Sequence, residues 1–179
     1  MSKKVLVISA SPRKGGNSDI LCDQFIAGAK EAGHETEKIF ISSKKIGFCT
    51  GCGVCYNGQK PCPLKDDMPA ILEQMIASDV IVMATPVYFY TMNAQLKTTI
   101  DRCCSRYTEI SNKSFYFILT AADSSIPAME RTVEGFRGFT SCLGGAEEKG
   151  IIYGVGAWGK GDIEGTSAMK NAHDMGRMI

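Results

Sequence analysis

The chain has 179 residues, enough for one domain with a substantial core and short for two. Its 20 Lys and Arg stand against 19 Asp and Glu, so no net field draws nucleic acid or an anionic membrane, and any bound anion must be gripped locally. No stretch approaches the roughly 18 uninterrupted apolar residues of a membrane span. The start "MSKKVLVISASPRKGG" runs into Pro, Arg and Lys after a short apolar run, so a signal peptide is not expected. The reading is a cytoplasmic protein with neither nucleic acid nor membrane as partner. There, clustered cysteines mean metal or redox chemistry rather than a disulfide framework.

Residues 5–8 form a short apolar run that fits a strand buried on both faces. From Ser18, apolar residues recur at Ile20, Leu21, Phe25, Ile26 and Ala29, a helical rhythm that Gly33 closes. "HETEKIFI" alternates enough for a strand near a sheet edge. After a cysteine-rich segment at 48–63, "DDMPAILEQMIASD" opens with acids suited to the positive end of a helix and puts Ile71, Leu72, Met75 and Ile76 on one face. "VIVMATP" reads as a buried strand, "NAQLKTTIDRCCSRY" as helix, "FYFILTA" as strand and "PAMERTVEGFRGFTSCLG" as helix. "GIIYGVG" is a fifth strand, "GAWGKGDIEG" a loop expected to be mobile at the surface, and "TSAMKNAHDMGRMI" a closing helix. Strands alternating with helices predict an α/β fold over residues 1–179: a doubly wound, five-stranded parallel sheet with helices on both faces and right-handed crossovers. In that class, ligands sit beyond the carboxyl ends of the strands.

The first strand-end loop, "SASPRKGGNSD", lacks both a dinucleotide fingerprint and a Walker sequence. It offers instead the hydroxyls of Ser9, Ser11 and Ser18, the Asn17 amide and the Arg13 guanidinium. These stand at a helix start carrying roughly half a positive charge, with Gly15 and Gly16 allowing close backbone approach. A phosphate site is predicted, the plainer alternative being a polar turn with Ser18 as N-cap. After the "VIVMA" strand, Pro86 stiffens the exit, and Tyr88, Phe89 and Tyr90 offer rings against which a planar cofactor could lie. "LTAADSSIP", with Thr120 and Asp123, would form a third side of the crevice. His34 and His173 read as surface or structural residues, and no general acid or base is nominated.

Cys49, Cys52, Cys55 and Cys62 are spaced C-x2-C-x2-C-x6-C. A zinc site commonly brings two separated C-x2-C pairs, whereas three cysteines at three-residue steps suit three corners of one iron-sulfur cubane. Gly51, Gly53 and Gly58 would let the backbone wrap closely. A thiol redox pair at Cys52 and Cys55 is the further alternative. Cys22, Cys103, Cys104 and Cys142 fall in helical patterns and read as small core residues.

Together, "SASPRKGGNS", "TPVYFYTMNAQLKTTIDR" and "LTAADSS" resemble the flavodoxin-like NAD(P)H-dependent FMN reductases, over essentially the whole chain. "CTGCGVC…CPLKDDM" and "GKGDIEGTSAMKNA" look most like the iron-sulfur flavoprotein branch. The resemblance implies an FMN with its phosphate in the first loop and its ring against Pro86, Val87, Tyr88, Phe89, Tyr90 and Thr91. It also implies a 4Fe-4S cluster on the four spaced cysteines, NAD(P)H as co-substrate, and a homodimer or homotetramer. The activity it implies is passage of electrons through FMN to a small-molecule acceptor or redox protein. The alternatives are a flavodoxin-like carrier between protein partners and a zinc-stabilised interaction module.

Overall fold

The apolar runs become the inner strands. A computed structural model describes residues 1–55 and 60–179. In chain order the elements are β1 (Lys4–Ser9), α1 (Asn17–Glu31), β2 (Glu35–Phe40), α2 (Met68–Ala77), β3 (Val80–Tyr88), β4 (Thr91–Met92) and α3 (Ala94–Arg102). They continue as β5 (Ser114–Thr120), α4 (Glu130–Thr140), β6 (Glu147–Gly154) and α5 (Ser167–Arg177). The main sheet runs β2-β1-β3-β5-β6 with every pairing parallel. The reversal of strand order beside β1 places the first and third strand-end loops on either side of one crevice. The half-polar "HETEKIFI" strand is indeed at an edge.

One addition to the expected five strands is β4, which folds back antiparallel on the end of β3 through Val87↔Met92 and Tyr88↔Thr91. Two residues are too few to show a period. The aromatic segment is thus a two-residue hairpin with Phe89 and Tyr90 at its tip, at φ 49° and 65°. Positive φ at both tip positions matches the twist of a tight hairpin, but bulky residues adopt it only under strain.

Both faces of the sheet are apolar because both are covered. Leu6, Ile8, Ile81, Met83, Phe115 and Phe117 face a core with residues of α2 and α4, where Phe117 stacks on Phe136 at 4.5 Å between centroids. Val5, Val7, Val80, Val82, Tyr116 and Ile118 face α1 and α5, with Phe25 edge-on to Tyr116 at 5.2 Å. These two helices touch backbone to backbone. A Cβ on Gly28 would lie 1.9 Å from the His173 carbonyl oxygen, and one on Gly176 would lie 2.1 Å from that of Phe25. Among the described residues, no helix is long and apolar enough to cross a membrane.

Candidate functional site: a cofactor crevice and a cysteine pocket

The loop after β1 is built around its own polar groups. The Ser11 hydroxyl donates to the Arg13 carbonyl at 2.8 Å and accepts from the Arg13 N–H at 3.1 Å. The Gly15 N–H and the Ser9 hydroxyl both donate to Asp19, at 2.8 and 2.7 Å. Lys38 reaches the same carboxylate at 2.7 Å. Burial works to raise the Asp19 pKa, but the bonds from Lys38, Gly15 and Ser9 outweigh it and hold the group below its ordinary value. Ser9 therefore braces the loop from beneath. Helix α1 begins at Asn17 rather than Ser18, because the chain turns in at Gly16, whose lack of a side chain leaves the first-turn N–H groups uncapped. Ser18 is then inside the first turn and not the N-cap. Its hydroxyl, 1% exposed, has no hydrogen-bond partner among the described residues. A buried, unpaired hydroxyl beside uncapped N–H groups is suited to an anion, which would satisfy them together.

These groups open onto a cavity of about 620 Å³, within the range of small-molecule sites. Ser11, Arg13, Asn17, Ser18, Pro86, Val87, Tyr88, Phe89 and Thr120 all line it. Ser9, Tyr90, Thr91 and Asp123 do not. The Tyr90 carbonyl accepts from Thr132 of α4 at 3.1 Å, Thr91 closes the hairpin on the Tyr88 carbonyl at 3.3 Å, and Asp123 accepts from the Ser125 N–H at 2.8 Å. Asn17 borders the cavity, but its amide is engaged by the loop after β6. It donates to the Gly159 and Ala157 carbonyls, at 2.7 and 3.3 Å, and accepts from the Gly161 N–H at 2.9 Å.

Those bonds correct the expectation of a mobile "GAWGKGDIEG" loop. The Gly156 and Ala157 N–H groups also donate to the Asp123 and Ala121 carbonyls, at 2.9 and 2.8 Å. The loop is fastened as a fourth wall, bringing Ala157 and the exposed Trp158 to the cavity with Ala121 and Ala122. Its glycine-rich composition signalled a loop and gave no sign of the Asn17 anchor. A second residue not anticipated is Asn93, buried at the start of α3. Its side chain accepts from the Leu96 N–H, donates to the Ala10 carbonyl at 2.5 Å and meets the Thr85 hydroxyl at 3.1 Å, so it ties the first loop to the third. Its signal was positional, an Asn directly before a helical run. Another hollow, of about 550 Å³, lies at the opposite end of β1 and β2, where the strands begin. Among the described residues, no loop at the carboxyl ends of the strands reaches it.

The cysteine segment is closed at its neck by one ion pair. Arg102, 3% exposed, donates through both terminal nitrogens to Asp66, at 2.5 and 3.1 Å, and to the Gly47 carbonyl at 2.7 Å. Asp66 also accepts from the Gly47 and Met68 N–H groups, at 2.9 and 3.1 Å. The acids before α2 thus serve the loop as much as the helix. Arg102 is the main cause that draws the Asp66 pKa down to about 2 from 3.8. A depressed carboxylate pKa stabilises the fold above the ordinary value, and that contribution is lost as pH falls through about 4 toward 2, on the order of 2 kcal/mol. Urea unfolding followed from pH 5 to 2 should show this slope, and Asp66→Asn should flatten it.

Inside this neck, Cys49, Cys52, Cys55 and Cys62 line one hollow of about 220 Å³. Gly51 and Gly53 wrap the backbone at positive φ, 64° and 72°. Gly58, the third expected wrapping glycine, lies outside the described residues. Among the described residues, no three His, Cys, Asp or Glu side chains are drawn together as a metal site. The Val54 N–H lowers the Cys52 thiol pKa; burial, then the neighbouring Cys104, Cys62 and Cys52 sulfurs, push that of Cys55 up. Cys104 lines the same hollow. Cys22 and Cys103 are buried as expected, but Cys104 and Cys142 are exposed. The correction has a simple cause: Leu96, Thr99 and Cys103 mark the inward stripe of this segment, and at about 100° per residue Cys104 falls off it and faces out.

A crevice at a topological switch point, with an anion-ready helix start on one side and an aromatic hairpin on the other, defines the site of a flavodoxin-like fold. The family model described as NADPH-dependent FMN reductase matches residues 3–143, and the chain belongs to that oxidoreductase family. An iron-sulfur flavoprotein of Archaeoglobus fulgidus is 42% identical over 99 residues, covering 55% of this chain and 44% of that protein. An iron-sulfur flavoprotein of Methanosarcina thermophila is 43% identical over 99 residues, covering 55% of this chain and 51% of its own. The match spans about half the length of these curated relatives. Among solved structures, an azoreductase from Bacillus anthracis superposes with a TM-score of 0.74 over 100% of both chains at 19% identity, a likeness of fold.

Proposed function

We propose that residues 1–179 act as a single FMN-binding domain, with a cysteine loop at 48–63, that passes electrons from NADH or NADPH through FMN to a small acceptor such as a quinone or a redox protein. The observation that carries this reading is the buried, unpartnered Ser18 hydroxyl beside the uncapped start of α1, facing a cavity walled by residues 86–89. Bound there, FMN supplies the hydride-accepting ring and can release electrons singly or in pairs. The chain positions it. Ser18, Arg13 and the first-turn N–H groups take the phosphate, Pro86, Val87, Tyr88 and Phe89 form the wall for the ring, and Asn93 holds the two loops in register.

A 4Fe-4S cluster on Cys49, Cys52, Cys55 and Cys62 is the second part of the proposal. The four cysteines line one hollow, and the three at three-residue steps suit three corners of one cubane better than the two separated C-x2-C pairs of a common zinc site. A homodimer or homotetramer is supported by the hairpin tip, where Phe89 is 98% exposed. An aromatic side chain held in a strained backbone and left in water suits a surface completed by a second copy. Phe89→Gly should raise the unfolding free energy by about 1 kcal/mol by releasing that strain, while weakening FMN binding; urea unfolding and a flavin titration check the two effects.

The activity is tested by adding NADH, then NADPH, anaerobically to the FMN-loaded protein and following the flavin absorbance. Bleaching by either supports the oxidoreductase. Bleaching by neither overturns it in favour of a carrier between protein partners.

A further inference from the structure

The cysteine hollow holds one thiol more than a four-iron cluster needs. Cys104 comes from the short turn Cys103–Ser105, directly after Arg102 in the chain. Cys103 is buried in the core against the Thr99 carbonyl and Met75, so its neighbour is turned outward to the hollow. Unlike the loop cysteines, Cys104 is presented by a turn already anchored in the core through Cys103. Less of its side-chain freedom remains to be lost on binding.

Cys62 has two berths. It lines the shared hollow, and it also lines a smaller one of about 130 Å³ together with Arg102, Met68 and Arg106. Arg102 is buried, and its Nε, unlike its other two nitrogens, has no hydrogen-bond partner among the described residues. A buried, unpaired cationic N–H is costly, and a thiolate turned toward it would satisfy it.

From these two observations, and on the reading that the loop holds a cluster, we propose that Cys104 is a ligand for the fourth iron, interchangeable with Cys62. With Cys49, Cys52 and Cys55 holding three irons, the fourth takes either sulfur. When Cys62 leaves the iron it carries the sulfur's electron pair with it and lies as a thiolate against Arg102. Cys104 then gives its proton to water as its sulfur bonds the iron. No electron is gained or lost in the exchange.

The test is anaerobic reconstitution of the full chain with ferrous iron and sulfide, in Cys62→Ala, Cys104→Ala, the double variant and Cys142→Ala as an exposed-thiol control. Iron and sulfide per chain and the electron paramagnetic resonance spectrum of the dithionite-reduced protein are the readouts; FMN content reports folding. Both single variants should keep most of the iron and sulfide, with altered spectra, and the double variant should lose nearly all of it while retaining FMN. Cys62→Ala as empty as the double variant, or the double variant as full as the wild type, overturns the proposal. A wild-type chain that binds FMN but takes up neither iron nor sulfide overturns it together with the cluster reading, whereas the first two outcomes leave that reading standing.

Discussion

Arg102→Met is expected to lower the unfolding free energy by about 3–5 kcal/mol and to release the cysteine segment. The methionine fills much of the guanidinium's volume but leaves the Asp66 side chain, 9% exposed, without its counter-charge, and breaking one side of a largely buried pair has this magnitude. The neck of the segment is the specific casualty, since one guanidinium holds both the Gly47 carbonyl before the cysteines and the Asp66 carboxylate after them. The companion Asp66→Asn, Arg102→Met double variant should recover a substantial part of the loss, because it removes the uncompensated charge. Urea unfolding of the four-member cycle gives the coupling directly, and additive losses would show that the pair does not act as a unit. Hydrogen exchange at Gly47 and Met68, whose N–H groups the carboxylate accepts, should accelerate selectively in the single variant.

Gly16→Ala should weaken FMN binding by up to about a hundredfold, close to 3 kcal/mol. Its φ of −76° is open to any residue, so the effect is steric. An added Cβ would lie 2.7 Å from the Ser11 hydroxyl and 2.9 Å from the Arg13 carbonyl. The carbonyl belongs to the backbone of the turn and cannot rotate away, so the loop must open and carry Arg13 and the helix start away from the phosphate position. Ser11→Ala combined with Gly16→Ala removes the hydroxyl clash but not the backbone one, and should restore only part of the affinity. A fluorescence titration of the flavin-free protein with FMN measures both, and unchanged affinity in Gly16→Ala would place the phosphate elsewhere.

Much of this was legible because burial on both faces leaves a plain mark. Residues 5–8, "VIVMATP" and "FYFILTA" are near-continuous apolar runs, and such runs alternating with helical patterns permit few topologies. The first and third loops could be located for the same reason, as the polar or aromatic stretches that follow buried strands. What could not be read depends on pairings distant in sequence. Nothing in the pattern around Arg102 marks it as the partner of Asp66, and nothing in "GAWGKGDIEG" marks it as fastened by Asn17. Cys103 and Cys104 differ in exposure because adjacent positions stand about 100° apart round a helical turn, and only tertiary packing decides which of the two faces the core. The β3–β4 hairpin was hidden because Phe89 and Tyr90 occupy positions where Asn and Gly would normally announce the turn.

The most direct test of the account is the composition of the protein purified without oxygen: FMN, iron, zinc and acid-labile sulfide measured on the same sample. One FMN per chain, iron and sulfide in equal amounts and no stoichiometric zinc are expected. Zinc bound without FMN would contradict this.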